Sequence, residues 1–344
     1  MEASKLDKRY NSIDLCKFIM AFFVVAIHTC PLNNSTNKHL LNIYNLLVGL
    51  AVPFFFLASG YLLAAKMDYP YGNQNDISRI KRQLVKILRM YVTWSLIYLP
   101  LAVYQFIATG TPFIKAFLLY VRGFFFLGEQ YNSWPLWYLL STILSLAVIG
   151  FILKKKKSSR ALIVLIVVAS ILNIGISGLA NYNGNLPSVI VKLQKLIEYT
   201  IASGRLFSGM IYIPAGMLLA HKRMPKLLNW AVFVVCFIAN YFIADSIISS
   251  YLLMFTAFAF FGIVERIELK NNKWYAQLRS MSTTIYLMHM YVWTFYYKII
   301  YGEKTYGVDS FIVTAIIVTI IAFTYSVIEC KRKALRNQSS IIEK

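Results

Sequence analysis

Asp14, Lys17 and His28 lie within the apolar stretch SIDLCKFIMAFFVVAIH, where side chains that carry charge or exchange protons stand out. Ionisable groups in such a segment are costly and by default functional. At about 100° per residue, the eleven steps from Lys17 to His28 come to about three turns, so the two share one helix face. Asp14 falls within about 40° of His28 on that face. With a rise of 1.5 Å per residue, the Asp14 and Lys17 pair sits near one membrane surface and the imidazole about 16 Å deeper than the lysine.

Other residues could share in chemistry. In AVPFFFLASGYLL, Pro53 cannot donate to the helix ladder, and Ser59 and Gly60 allow another backbone to come close; ordinary packing by small residues explains Ser59 equally well. Arg79, Arg82, Lys86 and Arg89 are spaced three, four and three apart and form one basic helix face, with Lys81 beside it. Such a face could hold the phosphates of a large anionic cofactor, arginine being suited to bidentate contact. Trp134, Pro135, Leu136, Trp137 and Tyr138 combine interfacial aromatics with a proline helix start. Arg205 could snorkel to the interface or bind an acidic or hydroxylated substrate. Tyr286 and His289, three apart, are neighbours on a helix face, either as a structural hydrogen bond or as part of a polar cavity. His39 and His221 sit in polar loops and read as solvated. Cys16, Cys30, Cys236 and Cys330 have neither disulfide nor zinc spacing, and no metal is expected.

These residues are carried by a membrane chain. Of 344 residues 58% are hydrophobic and 14% charged, with a mean hydropathy of +0.59, whereas soluble domains are typically about 25% charged. The fold class is all-α and polytopic, with ten apolar segments at about 13–32, 43–65, 87–108, 136–153, 161–180, 203–220, 228–245, 248–264, 282–301 and 310–328. The stretch from Phe113 to Leu127 is too short to span and reads as an interfacial or re-entrant helix. Residues 1–344 form one transmembrane domain, since no hydrophilic stretch approaches the about 50 residues of a small soluble domain. The first apolar run lacks a cleavage site and is expected to remain as a signal anchor.

The net charge of +21 follows topology rather than nucleic-acid binding, which is not expected. With a cytoplasmic N-terminus, 26 Lys and Arg fall inside and eight outside, as the positive-inside rule requires for ten spans with both termini in the cytoplasm.

Five features taken in order resemble the membrane-bound acyltransferase 3 family. They are a basic residue, ten residues and a histidine in the first helix; FFFLASGY in the second; the run RIKRQLVK; LWYL in the fourth; and SMSTTIYLMH in the ninth. Two positions depart from the family's pattern. Lys17 stands where arginine is usual and lacks its planar fork, and Pro135 stands where some relatives carry a histidine.

The resemblance implies transfer of an acyl group, often acetyl, from cytoplasmic acyl-CoA to a hydroxyl of a cell-envelope carbohydrate, by a multi-pass protein of the plasma membrane bilayer. It makes His28 the base or acyl carrier, with Asp14 and Lys17 orienting it or lining the donor path. Arg79, Lys81, Arg82, Lys86 and Arg89 would hold coenzyme A, and Ser59, Trp137, Arg205, Tyr286 and His289 would line the cavity. The membrane domain of vancomycin-resistance serine racemases is a similar branch. It implies an alternative, a serine-transporting membrane domain, here expected without a racemase domain.

Overall fold

In the computed structural model, the described residues are 10–156, 158–182, 184–243 and 247–342. Both chain ends lie outside them, with Lys5, Lys8, Arg9, Lys157 and Lys344 of the charge count; so do residues 244 and 245 of the seventh apolar segment. Among the described residues every regular element is helical. The helices are α1 (Asn11–Thr29), α2 (Lys38–Gly49), α3 (Ala51–Ala64), α4 (Gln74–Ala108), α5 (Phe113–Arg122), α6 (Leu136–Lys156), α7 (Ser159–Ala180), α8 (Ser188–Ile201), α9 (Ser208–His221), α10 (Lys226–Phe242), α11 (Ile247–Val264), α12 (Trp274–Ile300) and α13 (Val308–Ile342). A π-helical turn, Gly123–Leu127, follows α5, and a 3-10 turn, Ala202–Phe207, precedes α9.

Each of the ten apolar stretches is centred on a helix, and seven helical segments are long and apolar enough to cross a bilayer. These are α1, Lys38–Ala64, α4, Leu136–Lys155, α7, α11 and Val308–Arg332. The expected interfacial stretch is α5 with its π turn. Two features exceed the apolar pattern. A capping box, Asn73 with Asp76, starts α4 thirteen residues before the apolar segment, so the basic run is helical. In addition, α8 is an amphipathic helix with lysines on its polar positions.

Two compact units make up the chain. One contains residues 10–51 and 264–342. In it α1 packs on α12, and α13 packs on both. Core side chains on α12 recur at Met281, Ile285, Tyr286, His289, Trp293 and Tyr297, a helical period that keeps one stripe inside. The Gly307 amide donates to the Thr29 carbonyl at 3.0 Å, fixing the α12–α13 connection to the end of α1.

The other unit contains residues 52–263. Here α4 packs on α6, α6 on α9, and α9 on α7. The sequence's expectation of close approach at Ser59 and Gly60 is met by α9: a Cβ on Gly60 would overlap the Ile213 backbone, and one on Gly216 would overlap the Leu57 carbonyl. α2 stops at Gly49, the residue whose carbonyl a proline at position 53 would crowd and leave without its N–H partner. Gly60→Val should therefore drive the two helices apart, at a cost of about 1–3 kcal/mol or more. A lowered thermal midpoint in detergent checks this, whereas Leu62→Val, outside the contact, should change it little.

Candidate functional site

The candidate residues fall into two groups, one in each unit. In the unit of α1, α12 and α13, His28 is one residue short of the end of α1. Its ring stacks on that of His289 of α12, with centroids 5.2 Å apart and planes inclined by 28°. His289 is fully buried, and its Nδ1 lies 3.1 Å from the Ile285 carbonyl oxygen. A carbonyl can only accept, so Nδ1 carries the proton and the neutral ring keeps its lone pair on Nε2. That Nε2 is buried without a hydrogen-bond partner. Tyr286, also buried, meets His289 edge to face at 6.4 Å. The spacing of His28 and of the Tyr286–His289 pair on separate segments thus resolves into one aromatic and imidazole cluster.

At the other end of this unit, Asp14 is 2% exposed and held by Arg279 of α12. Nε donates to Oδ1 at 2.8 Å and an Nη to Oδ2 at 2.5 Å, the parallel two-bond geometry of a charge-assisted fork. The pair holds the Arg279 guanidinium pKa above its usual value, chiefly through the hydrogen bonds to Asp14 and against its partial burial. Fourteen residues separate Asp14 from His28, about 21 Å along the helix axis, so the structure binds Asp14 to Arg279 and leaves it remote from the imidazole. Lys17 is half-buried on the intervening stretch. Sequence reasoning counted Arg279 only as an inner charge. Its signal was Asp14 itself, since a carboxylate in an apolar helix needs a cation, and Arg279 precedes His289 by ten residues on one helix.

In the unit of residues 52–263, Arg205 stands on the 3-10 turn before α9. It ion-pairs with Glu129 at 2.7 Å, and its guanidinium carbon lies 5.6 Å from the Trp137 ring centroid. The cavity pair Arg205 and Trp137 is therefore brought together, with Glu129 as a member that the sequence did not single out. Ser59 has a structural tie: its hydroxyl donates to the Phe55 carbonyl at 2.8 Å and lies 3.0 Å from the Tyr138 hydroxyl of α6. Arg79 is half-buried, while Lys81, Arg82, Lys86 and Arg89 are exposed along the first turns of α4. None of these five forms an ion pair among the described residues, so the basic face is open to an anionic ligand.

Residues 10–328 match the family model for the acyltransferase 3 domain. The chain belongs to the acyltransferase 3 family. It is accordingly a membrane acyltransferase. Among curated proteins, this acyltransferase is similar to an amino-acid racemase of Enterococcus faecalis, 34% identical over 42% of this chain and 20% of the relative. A second amino-acid racemase of that organism is 27% identical over 61% of the chain and 28% of the relative. A serine/alanine racemase of Enterococcus gallinarum is 36% identical over 28% and 14%. The matched region thus spans less than a third of each of these relatives. No solved structure matches.

Proposed function

We propose that this acyltransferase moves an acyl group, acetyl in the simplest case, from cytoplasmic acyl-CoA to a hydroxyl of a cell-envelope carbohydrate across the plasma membrane. The observation that carries the reading is the stacked pair of half-buried His28 and buried His289, an imidazole held at the opposite end of α1 from the Asp14–Arg279 fork. A neutral imidazole takes the proton of the acceptor hydroxyl as its oxygen attacks the acyl carbon. The carbon–sulfur bond breaks, the ester forms, and coenzyme A leaves as a thiolate that is then protonated. General base catalysis of this kind contributes typically about 10²- to 10⁴-fold.

His28 is the base in this reading, and His289 with Tyr286 holds its ring. Asp14 and Lys17 line the donor path, with Asp14 acting through Arg279. The open basic face, Arg79 and Arg82 first, takes the coenzyme A phosphates with Lys81, Lys86 and Arg89 around it. Arg205 and Trp137 serve the acceptor, and Ser59 holds α3 to α6 beside them.

Proteoliposomes supplied with radiolabelled acetyl-CoA and envelope glycan should form labelled ester, and mass spectrometry of envelopes with and without the gene should show one lost acyl mass. No acyl difference and no coenzyme A release would overturn the reading. The names of the racemase relatives support a second one, passage of serine through a membrane domain of this family. Under it, vesicles would accumulate serine without acyl-CoA, and no acylated product would form.

A further inference from the structure

His221, Lys222, Arg223 and Lys226 crowd the short connection from α9 to α10. Beside it lies a pocket of about 490 Å³, lined entirely from the unit of residues 52–263 and by none of the residues assigned above. Ile163 and Ile166 of α7, Leu219 of α9 and Phe258 of α11 give it apolar walls, and Lys222 and Arg223, both exposed, line it as well.

Its polar side is held in place by aromatic and hydroxyl contacts. The Tyr69 ring stacks on that of His221, with centroids 3.2 Å apart and planes inclined by 9°, and the Tyr69 hydroxyl lies 2.9 Å from the Ser159 hydroxyl at the start of α7. In that bond one hydroxyl donates, and the other keeps its proton for a further acceptor. Among the described residues, no carboxylate stands in the lining. The pocket thus joins cations and hydroxyl donors to an apolar groove, and its volume falls within the range of ligand sites.

One class of molecule matches both halves. α7 and α11 are long and apolar enough to cross a bilayer, so the medium against the groove is hydrocarbon. Free phosphate would satisfy the cations and leave the apolar walls uncovered. A zwitterionic lipid would bring its own cation towards Lys222 and Arg223. An anionic phospholipid supplies an unopposed phosphate together with acyl chains, and basic pockets between membrane helices bind such head groups. We propose that this pocket binds one anionic phospholipid, in the leaflet that the positive-inside bias makes cytoplasmic. Its phosphate lies among Lys222, Arg223 and the Tyr69 and Ser159 hydroxyls, and an acyl chain runs along Ile163, Ile166 and Phe258. This site uses no residue given to donor, acceptor or base, so it stands or falls apart from the acyl-transfer reading.

The test is native mass spectrometry of the full-length protein in neutral detergent. The protein is titrated with palmitoyl-oleoyl phosphatidylglycerol, with the phosphatidylcholine of the same chains, and with phosphatidylglycerol in the presence of inorganic phosphate. One phosphatidylglycerol should be retained about tenfold or more tightly than phosphatidylcholine, and inorganic phosphate should not displace it. Lys222→Gln with Arg223→Gln should weaken it about tenfold or more, whereas Lys154→Gln with Lys155→Gln, which removes the same charge from the end of α6 outside the lining, should change it little. All four positions are exposed, so both double variants should fold. Ile163→Trp, at an exposed wall position, should weaken the lipid with both cations intact. Equal retention of the two lipids, equal weakening by the two double variants, or undiminished binding by Ile163→Trp would overturn the proposal. Displacement by inorganic phosphate would reduce the pocket to an anion site and overturn it as well.

Discussion

His28→Ala should lower the acyl-transfer rate by about 100-fold or more at unchanged expression, because it removes the group that takes the acceptor's proton. The loss should lie in kcat, since the imidazole meets the hydroxyl at the moment of attack and not the coenzyme A phosphates. Undiminished transfer by His28→Ala would sink the assignment. His289 sharpens the test because it touches His28 through its ring face, with centroids 5.2 Å apart. His289→Ala leaves a void beside His28 and lets the base tilt, and misplacement on the order of 1 Å can cost about 100-fold. His289→Phe keeps the stack while removing an acceptor, Nε2, that has no partner to lose. Its Nδ1 contact goes to Ile285, whose carbonyl is already within the helical ladder. The phenylalanine variant should therefore retain most of the rate that alanine loses. A phenylalanine variant as inactive as alanine would instead make His289 a proton carrier in its own right. Initial rates in proteoliposomes at saturating acetyl-CoA, with folded protein measured by size exclusion, decide between these outcomes.

Local patterns in the chain carried the helices and part of the site, and tertiary pairings carried the rest. Apolar runs of near-spanning length fell on helices, seven of the helical segments being long and apolar enough to cross, because a bilayer demands about 20 apolar residues whatever the neighbours are. Gly60 announced a close crossing, but its partner, the Ile213 backbone, is distant in sequence and left no local trace. The polar early turns of α12 and α4 are helical through capping and packing rather than hydropathy, so an apolar window starts too late on both. His28 and His289 were each visible as histidines in apolar segments, whereas their stacking depends on the packing of α1 against α12. Glu129 lies in a short loop where an acidic residue is ordinary, and only Arg205, from another turn, and the buried Oε2 distinguish it. Arg279 is the clearest omission, since charge counting by side treats every inner cation alike. A buried carboxylate selects one of them.

Arg279→Leu should destabilise the protein by about 2–4 kcal/mol, the second large effect expected. The basis is asymmetric burial. Asp14 is 2% exposed and depends on the fork for both oxygens, whereas Arg279 is 53% exposed and keeps water on its outer side. Removing the arginine leaves an uncompensated carboxylate inside the helix packing, a loss of about 3–5 kcal/mol for fully buried pairs, reduced here because solvent reaches the guanidinium. Removing the carboxylate is less severe, since Asp14→Asn retains an acceptor and the arginine can turn to water. The double variant Asp14→Asn with Arg279→Leu should recover much of what Arg279→Leu loses, because the charge that suffers is gone. Thermal unfolding of the four proteins in one detergent measures the cycle. Additive losses would show that the pair is not coupled, contrary to the fork geometry. Activity separates the structural role from the proposed one: if Asp14 and Arg279 also line the donor path, the double variant should regain stability while its KM for acetyl-CoA remains raised. Recovery of both would restrict the pair to holding α1 against α12, where its position about 21 Å from His28 still sets the register in which the two imidazoles meet.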